Sequence, residues 1–372
     1  MNVAYMIDTI NGIAPIALSE SWDNSGLQVG DPSWPVQRIV LALDPTLDVI
    51  DDACRRKADL LITHHPLIFK PLKSIDLSTT VGKAIRKCLS NKLALLSAHT
   101  NLDSVNGGVN DVLARKIGLD HLVPLVPTTS APPEKYKFTV YVPESHKDKV
   151  MDALFKSGCG IIGDYTCCAY YGKGTGTFLP GEATHPATGT RGTLNHVDEC
   201  RIESVIEKHA IPGAIAGMKQ CHPYETPAYD IYPLFSGSTG EGLGRVGRLK
   251  PPMRFEDFSL KVKEALGVHM LKTVGRGERM VEKVAVCSGS GSSLIGRAVS
   301  SGVDVYVSGD LHYHDARLME EQDLCMIDAG HFPSEHIVLE ALKQAILEKL
   351  GKNNEHVQII CCDLERDPFQ YI

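Results

Sequence analysis

Seven residues whose types can do chemistry fall just past apolar runs. His64 and His65 follow Asp59–Thr63, and His99 and Asp103 follow Leu93–Ser97. Asp310 follows Asp304–Ser308, and His331 and Glu335 follow Leu324–Asp328. Adjacent histidines on an extended backbone point in opposite directions, so His64 and His65 chelate one ion poorly but can serve two neighbouring ions. His331 and Glu335 are one helical turn apart at a predicted helix start, which puts both on one face. A carboxylate can bridge two metals, and Asp103 adds a second carboxylate. Imidazole with carboxylate suits divalent transition metals, zinc first and iron or manganese next, rather than calcium or magnesium. Two such ions close together can hold a hydroxide and clamp an oxyanion during hydrolysis. His99 and His314 are candidates for moving protons in that chemistry.

Each residue also has a plainer reading. A single histidine at a strand end is more often a capping or hydrogen-bonding group than a ligand, and this suits His121, His146, His209, His269 and His356. Asp103 could form an Asx-turn before Asn106-Gly107. Glu335 could be a first-turn acid matched to the helix dipole. Asp310, His312, His314 and Asp315 could be outer partners of a metal site, proton carriers or a helix-start cap. Gly289-Ser-Gly291 could hold an anion at a helix start or simply make a tight turn. No Walker A pattern and no G-x-S-x-G elbow is present. The plain readings leave one thing unexplained: four strand ends carry this chemistry together, where ligands bind in open α/β sheets.

The elements that must hold these residues alternate. Runs at Arg38–Leu43, Asp59–Thr63 and Leu93–Ser97 read as buried strands, with helices over 46–57, 80–91 and 107–117. The rhythm returns after the middle of the chain, with strands at Lys283–Cys287, Asp304–Ser308 and Leu324–Asp328 and helices over 293–301 and 333–350. This predicts an α/β domain split into two halves, 1–130 and 237–372, with a parallel or mixed sheet flanked by helices. Between polar stretches at Thr128–Pro133 and Ser236–Gly244 lies a small α+β unit, 131–236. It has predicted strands at 137–142, 165–171 and 228–232, and helices over 144–157 and 201–209.

With 372 residues, two domains are expected, one inserted in the other. Charged residues make up 22% and the net charge is -7, with no long basic run, which argues against nucleic acid as a partner. No apolar run is long enough to span a bilayer, and the N-terminus lacks the order of a secretory signal. Eleven scattered cysteines fit a reduced, cytoplasmic compartment better than a disulfide framework.

Five segments carry a resemblance: Glu20–Gly30, Ile62–Leu67, Ser97–Asp103, Ser308–Asp310 and Ala329–Glu335. At these the sequence closely resembles the GTP cyclohydrolase 1 type 2 homologues, also called Ngg-interacting-factor-three-like proteins. The resemblance implies that His64, His65, Asp103, His331 and Glu335 are metal ligands, with Glu335 the bridge. It also implies toroidal homohexamers whose metal sites face an internal cavity. The insertion of longer members is similar to small trimeric signalling-protein and copper-tolerance folds, a ferredoxin-like arrangement, here spanning roughly 135–235. Gln220–Ile231 looks like its hallmark, although Glu225-Thr226 stands where the family has an acidic pair. The family name implies GTP ring opening. The expected function is that of a dinuclear metal-dependent hydrolase acting on a nucleotide or another small phosphorylated or cyclic substrate. The alternative is a non-catalytic metal-binding hexamer that serves as scaffold, regulator or metal handler.

Overall fold

The computed structural model describes residues 1–128, 135–234, 240–351 and 357–370. Most of the two polar stretches on which the domain boundaries were drawn, and His356, lie outside the described residues. The chain divides into two compact units, Met1–Ser130 together with Ser238–Ile372, and Ala131–Gly237. The first segment supplies β1 (Gly26–Val29), β2 (Arg38–Ala42), β3 (Leu60–Thr63), β4 (Ala94–Ser97) and β5 (Asp120–Pro127). The inserted unit supplies β6 (Lys135–Pro143), β7 (Ala169–Phe178), β8 (Asn195–Glu207) and β9 (Tyr229–Pro233). The last segment supplies β10 (Gly242–Arg254), β11 (Lys272–Val274), β12 (Met280–Ser290), β13 (Val305–Gly309), β14 (Cys325–Asp328) and β15 (Gln358–Cys361).

The split unit holds two mixed sheets rather than the single sheet expected. One runs β1-β4-β3-β2-β15, with β1 antiparallel to β4 and the other neighbours parallel. The other runs β11-β14-β13-β12-β10-β5, with β12, β13 and β14 parallel and the flanking strands antiparallel. Strands β3, β4 and β14 are buried at every residue, as parallel strands covered on both faces must be. In the first sheet the helices Leu47–Arg55 and Thr80–Ser90 cover one face through Val49, Ile50, Ala84 and Ile85. Thr46 and Thr79 cap them by accepting from Val49 N and Gly82 N, so each helix starts at a fixed place after its loop. The helices Val3–Asn11 and Val338–Leu350 cover the other face through Met6, Ile10, Leu342 and Ile346.

Arg245 joins the two segments. It is almost wholly buried on β10, where its Nε donates to Asp111 Oδ2 at 2.7 Å. Its Nη2 donates to the carbonyls of Ser104 and Val105 at 3.2 and 3.0 Å, directly after Asp103. Asn110 makes a second joint, donating to Asp103 O and accepting from Ser288 N.

The inserted unit is a four-stranded antiparallel sheet, β7-β8-β6-β9, with the helices Lys147–Lys156 and Ile211–Cys221. Its core joins Phe138, Val140 and Ile202 of the sheet to Val150, Leu154, Ala214 and Met218 of the helices. The segment 201–209, predicted helical, is instead mostly the second half of β8. Cys200, Ile202, Ser204 and Ile206 are buried while their neighbours face outward, which is the two-residue period of a strand. The helix comes later, at Ile211–Cys221. The predicted helix over 333–350 is also divided, into His331–Glu335 and Val338–Leu350.

Candidate metal centre

The site is built by the C-terminal ends of β3, β4, β12 and β14. Thr63 ends β3, and its hydroxyl donates to His65 O at 2.7 Å, which fixes the turn after the strand. His64 and His65 then diverge. His64 is almost fully buried, and its Nδ1 donates to Ala98 O at 2.9 Å, which leaves Nε2 unprotonated and aimed inward in the neutral ring. His65 Nδ1 bonds Asp44 Oδ1 at 2.8 Å, so its Nε2 also points into the site. Asp103 rides on the short helix Thr100–Ser104 after β4. Past β14, Gly330 has a φ of 86°, a conformation that suits glycine, and turns the chain into the helix His331–Glu335. His331 Nδ1 bonds Asp310 Oδ2 at 2.7 Å.

Glu335 lies at the centre. Its Oε2 is 3.1 Å from His65 Nε2 and 3.0 Å from His331 Nε2, and its Oε1 is 3.7 Å from His64 Nε2. Asp103 Oδ1 is 3.7 Å from the same His64 atom. Two groups that share Glu335 each have their ligand atoms within 4.8 Å of one another: His65, His331 and Glu335, and His64, Asp103 and Glu335. Either could hold a metal ion. Despite these approaches, His64 Nε2 and Glu335 Oε2 are buried without a hydrogen-bond partner. A buried polar atom in that state is costly unless a further group satisfies it. Gly289 makes room for the central carboxylate: a Cβ at this position would overlap Glu335 Oε1. Of the Gly289-Ser-Gly291 segment, Gly289 and Ser290 are the last residues of β12.

The electrostatics favour a cation. Burial opposes charge on His65, but its bond to Asp44 and the adjacent Glu335 carboxylate outweigh this and raise its pKa to about 10. Glu335 likewise raises His331 to about 9 against the effect of burial. Burial and the neighbouring Glu335 push Asp103 upward, while burial of Glu335 is outweighed by His64, His331 and His65, which hold it well below the usual range. Without an ion, the cluster draws protons into the places a cation would occupy.

The structure brings His64, His65, Asp103, His331 and Glu335 together, and His99 lines the same cavity of 360 Å³. His99 Nδ1 bonds Asp23 Oδ1 at 2.7 Å, and Thr100 and Ser25 also donate to that aspartate. Trp22 and Phe69, about half exposed, form a tilted ring pair beside His99. His314 is not brought in. It is exposed on the helix Tyr313–Glu321, where its ring meets that of Tyr313 and it does not line the cavity. Asp315 caps that helix through His312 N, as its plain reading supposed. Sequence reasoning missed Asp23, Asp44, Asn110 and Arg245. Asp44 directly follows the Arg38–Leu43 run, and Asp23 lies within the segment Glu20–Gly30.

A split α/β unit whose two mixed sheets close on a histidine–carboxylate cluster, with a second unit inserted between its halves, defines the class of protein. The sequence pattern of Duf34/NIF3 (NGG1p interacting factor 3) matches residues 1–368, and the chain belongs to that family. A GTP cyclohydrolase 1 type 2 homolog of Halalkalibacterium halodurans is 40% identical, covering 97% of this chain and 99% of its own. The Bacillus subtilis protein of the same name is 38% identical, covering 100% and 99%. Staphylococcus aureus protein SA1388 superposes with a TM-score of 0.85 at 30% identity, covering 100% of this chain and 99% of its own.

Proposed function

We propose that the protein is a dinuclear metal-dependent hydrolase acting on a nucleotide or another small phosphorylated or cyclic substrate. One observation carries this reading: two ligand groups share one buried carboxylate, and Glu335 Oε2 and His64 Nε2 have no hydrogen-bond partner. His65, His331 and Glu335 would hold one divalent ion, and His64, Asp103 and Glu335 the other, zinc first and iron or manganese next. Bound there, such ions supply Lewis acidity and a nucleophile at neutral pH. Asp44, Asp310 and Ala98 fix the ring orientations, as partners of metal-bound histidines do. His99, oriented by Asp23, is placed to move a proton at its Nε2. His314 has no part in this reading. The relatives' name, GTP cyclohydrolase 1 type 2 homolog, supports a nucleotide-like substrate.

The assembly in this reading is a homohexamer, tested by light-scattering mass. The inserted unit is ferredoxin-like, supported by its β-α-β-β-α-β order with the first and third strands central. A cytoplasmic location is supported by eleven cysteines without a disulfide. In addition, no helix among the described residues is long and apolar enough to cross a membrane. The function is tested by incubating metal-loaded protein with a small-molecule extract and following which compounds disappear. Depletion by wild type and not by Glu335→Gln is expected. Full metal content with no depletion would overturn the hydrolase reading in favour of a non-catalytic one.

A further inference from the structure

The inserted unit has a cavity of 460 Å³, within the range of small-molecule sites. Its walls are rings and apolar groups, chiefly Tyr141, Phe178, Leu179, Pro186 and Tyr224. Two carboxylates, Glu199 and Glu225, also face it, and no lysine, arginine or histidine among the described residues lines it. Glu225 is occupied, since it accepts the His185 N–H at 3.2 and 3.3 Å. Glu199 is half occupied. Its Oε1 accepts the Tyr224 hydroxyl at 2.8 Å, and its Oε2 has no donor among the described residues.

The surroundings hold Glu199 in this place. A Cβ at position 176 would overlap Glu199 Oε2, so the glycine of β7 leaves the carboxylate its seat. Tyr224 is fixed from below: its N–H donates to His222 Nδ1, and His222 Nε2 donates to Tyr141 O. These are residues of the Gln220–Ile231 segment that the metal centre leaves unused. The nearby cations are engaged elsewhere, Arg201 with Glu203 and Lys173 with Glu144. A half-buried carboxylate among aromatic faces, with no cation of its own, suits a flat cation that pairs with the carboxylate and lies against the rings.

We propose that the cavity between Glu199, Tyr224, Tyr141 and Phe178 binds a small flat molecule with an amidine-type N–H edge, which pairs with Glu199. This site is separate from the metal centre and stands whether or not that centre is catalytic. The test is isothermal titration of metal-loaded full-length protein with benzamidine, and with benzoate, which has the same outline and the opposite charge. Saturable benzamidine binding without benzoate binding is expected. Glu199→Gln should weaken it by roughly tenfold or more, as loss of a charge-assisted pair implies. Gly176→Ala, which crowds the carboxylate and leaves its charge, should weaken it too, and it serves if Glu199→Gln fails to fold. Glu335→Gln should leave it unchanged. Absent benzamidine binding, equal binding of benzoate, wild-type affinity in either folded pocket variant, or loss in Glu335→Gln would each overturn the proposal.

Discussion

Glu335 touches three histidines from a buried position, so its loss should be felt differently from the loss of any one of them. A shared carboxylate offsets the mutual repulsion of two ions, whereas one imidazole makes one bond to one ion and water can replace it in part. Binding isotherms should show Glu335→Gln weakening both ions and His65→Ala weakening mainly one. Near-native affinities in Glu335→Gln would remove the shared-ligand reading. Gly289→Ala probes the same carboxylate without changing a ligand. Its methyl group would meet Glu335 Oε1, so both metal content and melting temperature should fall. The residues of the cluster could be picked out in the sequence because each follows a buried strand within a few residues. Asp23 and Asp44 were not, because they act through His99 and His65 across folded distances that spacing does not report.

At the scale of elements, Arg245 carries the most. Truncation to alanine would leave Asp111 buried without its partner and free the carbonyls after Asp103, and a broken buried pair costs about 3–5 kcal/mol. Denaturant unfolding of Arg245→Ala should show a loss of that order, accompanied by weaker binding of the ion at Asp103. A loss no larger than a surface substitution gives would mean that the Asn110 joint, the β5–β10 pairing and apolar packing hold the two segments together without Arg245. The buried parallel strands were readable as unbroken apolar runs. Strand β5 was not, because Pro124 interrupts it, and proline is tolerated there only because β5 is the edge of its sheet. Strand β8 was misread because Arg201, Glu203 and Glu207 are good helix formers. Its buried alternation, Cys200, Ile202, Ser204 and Ile206, decides for the strand.

At the scale of the whole chain, β5 and β10 pair antiparallel, with Pro127 opposite Gly242 and Thr128 N donating to Glu241 O. The chain leaves the split unit and returns to it at neighbouring positions, so the excised ends can be joined by a short turn. Deleting 131–237 and closing with a few glycine and serine residues should leave a folded, metal-binding protein, judged by circular dichroism and elemental analysis. A product that cannot fold would make the insertion integral to the core. The split was legible as a change of rhythm, but the division into two sheets was not, because the same βα pattern serves one sheet or two. The cluster takes His64, His65 and Asp103 from before the insertion and His331 and Glu335 from after it. A ribosome releases the first three long before the last two, with the whole inserted unit synthesised in between. In the proposed reading, the complete ligand set would therefore come together only after the inserted unit has been made. In that reading, an ion bound before then would have to be held by an incomplete, more exchangeable set.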